Sequence, residues 1–242
     1  MLSEVELERL KKGADDGGLS LSEKQLELFF MFAKELLKAN EETNLTRITR
    51  PEEVVEKHFL DSLTPLFDCD FCEGARVIDI GSGAGFPGIP IKIARPDLDI
   101  LMVDSGGKKV GFVNSVIEGL GLDGICCIQA RAEELALTKK DFREGFDIAL
   151  SRAVAALPAL CELCLPFVRV GGQFIALKGQ NGEAELKEAQ KAAGALGGDG
   201  GRIIWSKVSD SELNHSLVII EKIRKTPPEY PRPFSKILKK HL

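Results

Sequence analysis

The chain has 242 residues, 44% of them hydrophobic, enough to bury one ordinary domain core with a modest addition and to exclude a wholly disordered chain. Its formal charge of −5 argues, taken alone, against a nucleic-acid partner, because phosphate affinity comes mainly from basic side chains. The average hides an asymmetry: residues 222–242 carry +6 and residues 1–221 carry −11, an acidic body with a basic end.

The opening MLSEVELERLKKG is charged throughout and lacks the apolar core of a signal peptide. No run approaches the ~18 apolar residues that a membrane span needs, so a cytoplasmic protein without a membrane partner is expected. Residues 1–67 read as a helical extension. Ser22-x-x-Gln25 is a capping-box signature, followed at helical spacing by Leu26, Phe29, Phe30, Ala33, Leu36 and Leu37, with Asn40 as the expected stop. A second signature, Thr49-Arg50-Pro51-Glu52, opens a helix through Val54, Val55, His58 and Phe59. His58 and Asp61 are expected to bond to each other and orient these helices.

From residue 76 short apolar runs alternate with helical stretches. Strands are predicted at 76–80, 99–104, 125–129, 146–151 and 173–178, with helices near 88–95, 107–119, 155–167 and 182–195. Apolar strands in this rhythm predict a parallel sheet covered on both faces. The runs 202–208 and 215–223, separated by polar SDSELN, predict a hairpin at the sheet edge. A core over 68–225 then gives way to a basic, proline-rich arm at 226–242, expected to be extended or irregular. Six cysteines are too sparse for a disulfide scaffold. Of the two C-x-x-C pairs, Cys161/Cys164 continue an apolar helix face, and neither pair has the polar flanks of a zinc knuckle, so no metal is expected.

VIDIGSGAGFPGIP is the most informative segment. A buried strand ends at Asp79, and Gly81, Gly83 and Gly85 follow at the carboxyl edge where open α/β sheets bind ligands. Gly83-x-Gly85-x-x-Gly88 formally satisfies a dinucleotide fingerprint, which keeps a nicotinamide oxidoreductase open. An acid at the strand end opposes a pyrophosphate but suits the cationic, phosphate-free S-adenosylmethionine. Asp104, ending the second strand, fits a ribose hydrogen bond with either cofactor. A cofactor-dependent RNA-binding or assembly protein without catalysis is a third reading.

DIGSGAGFPGIP resembles the first motif of class I methyltransferases, in the form found in the bacterial 16S rRNA guanine-N7 methyltransferases, the glucose-inhibited division protein B family. NLTRIT (44–49), KHFLDSL (57–63), LMVDSGGKK (101–109), ARAEEL (130–135), SRAVA (151–155), ALKG (176–179) and the ending TPPEYPRPFSKILKKHL are similar as well. Gly106 departs from the family, which usually has a larger apolar residue there. The resemblance implies a Rossmann-like, seven-stranded, mostly parallel sheet with an antiparallel edge hairpin and an N-terminal helical extension. It implies methyl transfer from S-adenosylmethionine to N7 of a guanine in 16S rRNA, with Gly81 and the backbone beyond Phe86 on the donor's methionine side; Asp79 and Gly83, from the strand end and glycine loop, are further cofactor-binding candidates. Asp104 falls on the ribose, Ala132 and Glu133 near the adenine, and Arg152 at the site. Glu133 and Glu134 otherwise read as a solvated first helical turn. N7 carries a lone pair and no proton, so positioning by Arg152 and Lys178, without a general base, is expected. Lys108, Lys109, Arg232, Lys236 and Lys239 are candidate RNA contacts, along with Arg47 and Arg50. The expected substrate is rRNA within a small-subunit particle, with no obligate protein partner.

Overall fold

A computed structural model describes residues 2–207 and 214–242. Four helical segments come first: α1 (Glu4–Asp16), α2 (Glu23–Thr43), α3 (Pro51–Val54) and α4 (Asp61–Asp68), the last two joined by a π-helical turn at Val55–Leu60. The sheet and its crossovers follow as β1 (Arg76–Ile80), α5 (Gly88–Ala94), β2 (Asp99–Asp104), α6 (Gly107–Leu120), β3 (Ile125–Gln129), α7 (Ala132–Thr138), β4 (Phe146–Arg152), α8 (Leu157–Cys164), β5 (Val168–Lys178) and α9 (Gly182–Ala195). The hairpin β6 (Arg202–Lys207) and β7 (Asn214–Glu221) precedes α10 (Phe234–Lys239). Val208 and most of the polar run predicted to turn the hairpin lie outside the described residues.

The seven strands are ordered β3-β2-β1-β4-β5-β7-β6. β1 to β5 pair in parallel, and β7 runs antiparallel to both β5 and β6. Strand side chains alternate cleanly between two cores. Val77, Ile100 and Met102 pack with α1–α6, whereas Ile78, Leu101 and Val103 pack with α7–α10.

The helical extension is stitched onto the first face. Ser22 caps α2 as the sequence predicts, and Gln25, the other half of that capping box, also donates to the Ile93 and Ala94 carbonyls at the end of α5, at 2.8 and 3.0 Å. Fully buried Phe29, Phe32 and Phe59 join Phe86 in an aromatic cluster with centroids 5.0–6.2 Å apart. Each such side chain contributes about 1.5–3 kcal/mol through burial, so the extension is bound tightly to the sheet.

Three local expectations change. Helix α2 runs past Asn40 to Thr43 and ends on Asn44 in the left-handed conformation. Asn40 instead accepts a bond from the Thr46 N–H at 2.8 Å. At the second signature Arg50 rather than Thr49 is the cap residue, Pro51 opens the helix and no side chain caps it; the proline supplies the start by its fixed φ and missing donor.

The third change concerns the end of the chain: residues 223–233 are irregular, as expected, but they pack on the fold and lead into helix α10. Arg143 donates to the carbonyls of Thr226, Pro227 and Tyr230 at 2.8–3.0 Å, and Ile237 of α10 is fully buried. Of the seven basic residues after 221, Lys222 is buried against the Leu165 carbonyl and Thr226, Arg224 donates to the Gly194 carbonyl, and Arg232 pairs with Glu162. Much of that positive charge therefore holds the fold together.

Candidate active site

The sheet's strand order reverses between β1 and β4, and a cleft of about 300 Å³ opens at the carboxyl ends of β1, β2, β3 and β4. This is where ligands bind in open α/β sheets. Gly81 lines it with φ +76°, and a Cβ there would meet Val154 Cγ2 at 2.3 Å. A side chain at this position is excluded by conformation and by space.

Asp104 stands at the end of β2 with both oxygens fixed by backbone. Gly83 N–H donates to one at 3.0 Å and Gly106 N–H to the other at 2.8 Å. The remaining lone pairs are free to accept from a pair of hydroxyls. Ala132 and Glu133 line the cleft from the first turn of α7, together with Ala130 and Leu163. Glu133 is buried and Glu134 exposed, so Glu133 faces the cleft and Glu134 alone matches the solvated-turn reading. Carboxylates, hydroxyl-accepting lone pairs and small apolar residues fit S-adenosylmethionine, which carries cationic groups, a ribose and a flat base. Lys109, also lining the cleft, is exposed at the start of α6 beside Lys108.

Asp79 lies elsewhere than expected. It is fully buried beneath the loop, where one oxygen accepts from Gly88 N–H at 3.0 Å and the other has no partner among the described residues. A Cβ on Gly88 would meet Met102 Sδ at 2.5 Å and this carboxyl at 3.1 Å, so the close fit of α5 against β2 needs that glycine. Burial pushes the Asp79 carboxyl up to about 8, and the acid is predominantly neutral at pH 7. It anchors the turn and is not among the residues lining the cleft.

A second cleft, of about 340 Å³, adjoins the first, and Ala153 (φ +55°) lines both. Its centre is Arg152, only 14% exposed. Nη1 donates to Asp61 Oδ2 at 2.8 Å and to the Lys57 carbonyl at 3.0 Å, and Nη2 donates to His58 Nδ1 at 3.1 Å. The guanidinium also lies 5.0 Å from the centre of the Phe86 ring, which stacks on His58 at 4.3 Å and 12°. His58 and Asp61 therefore meet through Arg152 and not by bonding to each other.

The protonation pattern is self-consistent. Burial and then the Arg152 charge push the His58 imidazole down to about 4, so neutral His58 accepts at Nδ1 and donates from Nε2 to Thr46 Oγ at 2.9 Å. Burial alone would raise the Asp61 carboxyl, but the His215 and Arg152 contacts outweigh it and hold the group below the usual range. His215 Nδ1 sits 2.6 Å from Asp61 Oδ1. Arg152 keeps Nε–H and one Nη2 hydrogen without a partner among the described residues.

Lys178 also lines the second cleft, but its ammonium is held by Glu185 at 2.7 Å and by the Ala155 carbonyl at 2.9 Å, and its side chain is 9% exposed. It braces α9 against the loop before α8. Arg232, expected among the RNA contacts, is likewise engaged internally by Glu162, which is 1% exposed. Lys236 and Lys239 are exposed on α10. Thr46, Asp61 and His215 were not singled out as site residues by sequence, since spacing alone does not unite positions in three distant segments. Cys161 and Cys164 are fully buried, and among the described residues no three His, Cys, Asp or Glu side chains gather as a metal-binding group. Among the described residues no helix is long and apolar enough to cross a membrane.

The strand order, the glycine turn after β1 and the fixed carboxylate ending β2 define a class I methyltransferase fold. Solved structures agree: the Thermotoga maritima SAM-dependent O-methyltransferase superposes with a TM-score of 0.53 at 16% identity, over 79% of this chain and 72% of that one. M. jannaschii TYW2 in complex with AdoMet gives 0.55 at 14%, over 73% and 80%. Residues 25–207 match the family model GidB, rRNA small subunit methyltransferase G. The chain is 45% identical over 229 residues to ribosomal RNA small subunit methyltransferase G of Clostridium botulinum (strain Eklund 17B / Type B), covering 95% of each chain. It is 44% identical over 217 residues to the protein of that name from Lactobacillus delbrueckii subsp. bulgaricus (strain ATCC BAA-365 / Lb-18), covering 88% and 89%. The chain belongs to this GidB family of S-adenosylmethionine-dependent rRNA methyltransferases, and the nicotinamide reading of the glycine loop falls away.

Proposed function

We propose that the chain methylates N7 of one guanine in 16S rRNA, with the methyl donor in the first cleft and the guanine in the second. The observation that carries this reading is the shared wall: Ala153 lines both clefts, and Arg152 next to it faces the second. When bound, S-adenosylmethionine supplies an electrophilic methyl group on its sulfonium. Gly81, Gly83, Asp104, Ala132 and Glu133 are the residues that hold it, with Asp104 accepting from the ribose hydroxyls. The free N–H groups of Arg152 suit O6 on the Hoogsteen edge of guanine and leave N7 open. N7 loses no proton on methylation, so the protein's contribution is orientation and exclusion of competing poses. In this reading residues 1–67 supply the RNA-side wall and residues 68–225 the methyl-transferring core.

Lys108, Lys109, Lys236 and Lys239 are the exposed cations we assign to phosphate contact. The acidic body disfavours a long grip on naked RNA, so we place the reaction on a small-subunit particle, in the cytoplasm and without an obligate protein partner. Mapping N7-methylguanine in 16S rRNA from cells with and without the gene tests the assignment. One site should vanish on deletion and return on complementation; an unchanged map refutes it. Assaying the purified protein on free 16S rRNA and on 30S particles separates the two substrates.

A further inference from the structure

The chain's last segment reaches the methyl-donor cleft. Phe234, the first residue of α10, lines that cleft together with Asp104, Ala132 and Glu133, and the Arg131 guanidinium sits 5.6 Å from its ring centre. The segment is anchored on both sides of this ring. Before it, Arg232 makes a two-pronged ion pair with Glu162, Nε to Oε1 at 2.8 Å and Nη2 to Oε2 at 2.7 Å, and its backbone N–H donates to the same carboxylate at 2.8 Å. After it, Ile237 is fully buried in the same apolar cluster as Leu160 and Leu163 of α8. Leu163 itself lines the cleft. The ring is thus fixed at the cleft and only partly covered by protein.

We propose that this C-terminal segment is a wall of the methyl-donor cleft and that Phe234 is a cofactor-binding residue, packing against the flat base of S-adenosylmethionine. The inference rests on the placement of the donor proposed above. Three features support it. The ring touches Arg131 and shares the cleft with the next two residues, Ala132 and Glu133, which are assigned to the adenine. A partly exposed aromatic face at a cleft rim is suited to stacking on a heteroaromatic base, whose sequence-independent attraction comes from the π-face. The two-pronged Arg232–Glu162 pair removes the freedom that a loose, proline-rich segment would otherwise lose on binding. Arg232 is accordingly a positioning residue for the cofactor, acting through Phe234.

Titration calorimetry with S-adenosylmethionine on the parent, Phe234→Ala, Phe234→Leu and Asp104→Ala tests this, with thermal melting as the control for folding. Base–aromatic stacking is worth roughly 1–3 kcal/mol on alanine substitution, about 5- to 150-fold in affinity. Phe234→Ala should therefore weaken binding by roughly tenfold or more without a matching loss of melting temperature, and Phe234→Leu by less. Should the alanine variant fold poorly, Phe234→Trp keeps the flat face and adds a fluorophore at the rim. The emission of that variant, corrected for Trp205 by the parent, should change when S-adenosylmethionine is added. Binding within twofold of the parent for folded Phe234→Ala, or unresponsive emission from Phe234→Trp, overturns the inference. If Asp104→Ala loses affinity while Phe234→Ala does not, the donor placement stands and only the wall is refuted. If Asp104→Ala binds as the parent does, the placement itself fails and the inference with it.

Discussion

The two clefts that meet at Ala153 are built in different ways. The donor cleft depends largely on backbone: Gly81 turns with positive φ, and the N–H groups of Gly83 and Gly106 hold the Asp104 carboxylate. The second cleft depends on long side chains. Arg152 binds Asp61, His58 and the Lys57 carbonyl, and Thr46 and His215 complete the chain of contacts from two further segments. A backbone-built site tolerates most side-chain changes around it and fails when a glycine changes. A side-chain network fails when one member is removed, because its partners are left buried and unpaired. Apart from Asp104 and the ring proposed at its rim, the donor side should therefore be robust, and the substrate side fragile and open to tuning.

Arg152→Ala gives the largest expected effect, since it leaves the buried Asp61 carboxylate with His215 alone and takes one partner from the neutral His58 ring. Removing one partner of a buried pair costs about 3–5 kcal/mol, measurable by urea denaturation. Arg152→Lys should recover part of that stability by keeping a charge near Asp61. It lacks the planar fork that reaches His58, Asp61 and Lys57 together. Its S-adenosylmethionine affinity should stay near the parent's while rRNA methylation remains low. A loss below ~1 kcal/mol for Arg152→Ala would erase the contrast between the clefts.

A titratable group stands behind each cleft, and the two respond to pH in opposite directions. The folded His58 value of about 4 lies below its ordinary 6.5, so the unfolded chain takes up a proton that the fold refuses. This contribution is present above pH 6.5 and is lost as pH falls toward 4, to an extent of about 3 kcal/mol. His58→Gln should therefore cost less, relative to the parent, at pH 5 than at pH 7.5. A cost independent of pH would show that the ring is not held neutral by its surroundings.

Asp79 behaves in the reverse sense. Its folded value of about 8 lies above its ordinary 3.8, so its contribution is complete below pH 3.8 and is lost as pH rises through 8. Asp79→Asn keeps an acceptor for Gly88 N–H and cannot ionise. The variant should match the parent within ~1 kcal/mol near pH 4 and gain on it steadily as pH rises to 8. Parallel stability curves for the two would contradict a neutral acid beneath the donor loop.

These differences also explain what could be read from sequence. The donor cleft was legible because its parts are local: a glycine turn follows β1, and Asp104 ends the next strand at the same sheet edge. The alternation of apolar strands and helices likewise gave the sheet. The second cleft was only partly legible. Arg152 was visible at a strand end, but its partners come from residues 46 to 61 and from 215, and side-chain contacts between such distant segments leave no periodic trace. The basic end misled for a related reason. Composition counts charges without their partners, whereas Lys222 and Arg232 are engaged inside the fold and Arg224 bonds a carbonyl at its surface. Asp79 misled because a strand-end acid looks available until the loop is seen to cover it.

The smallest expected effects belong to the exposed rim. Lys108, Lys236 and Lys239 are exposed and line neither cleft. Alanine at each should weaken rRNA binding evenly across sequences, lowering the slope of log affinity against log salt by about 1 or less per residue. S-adenosylmethionine affinity and melting temperature should be unchanged. The net charge of −5 makes this measurement informative, because a net acidic chain should show a shallow slope to begin with. A steep parent slope that the three substitutions leave intact would place the phosphate grip elsewhere on the surface. A shallow slope that falls further with each would assign the phosphate contacts to these lysines.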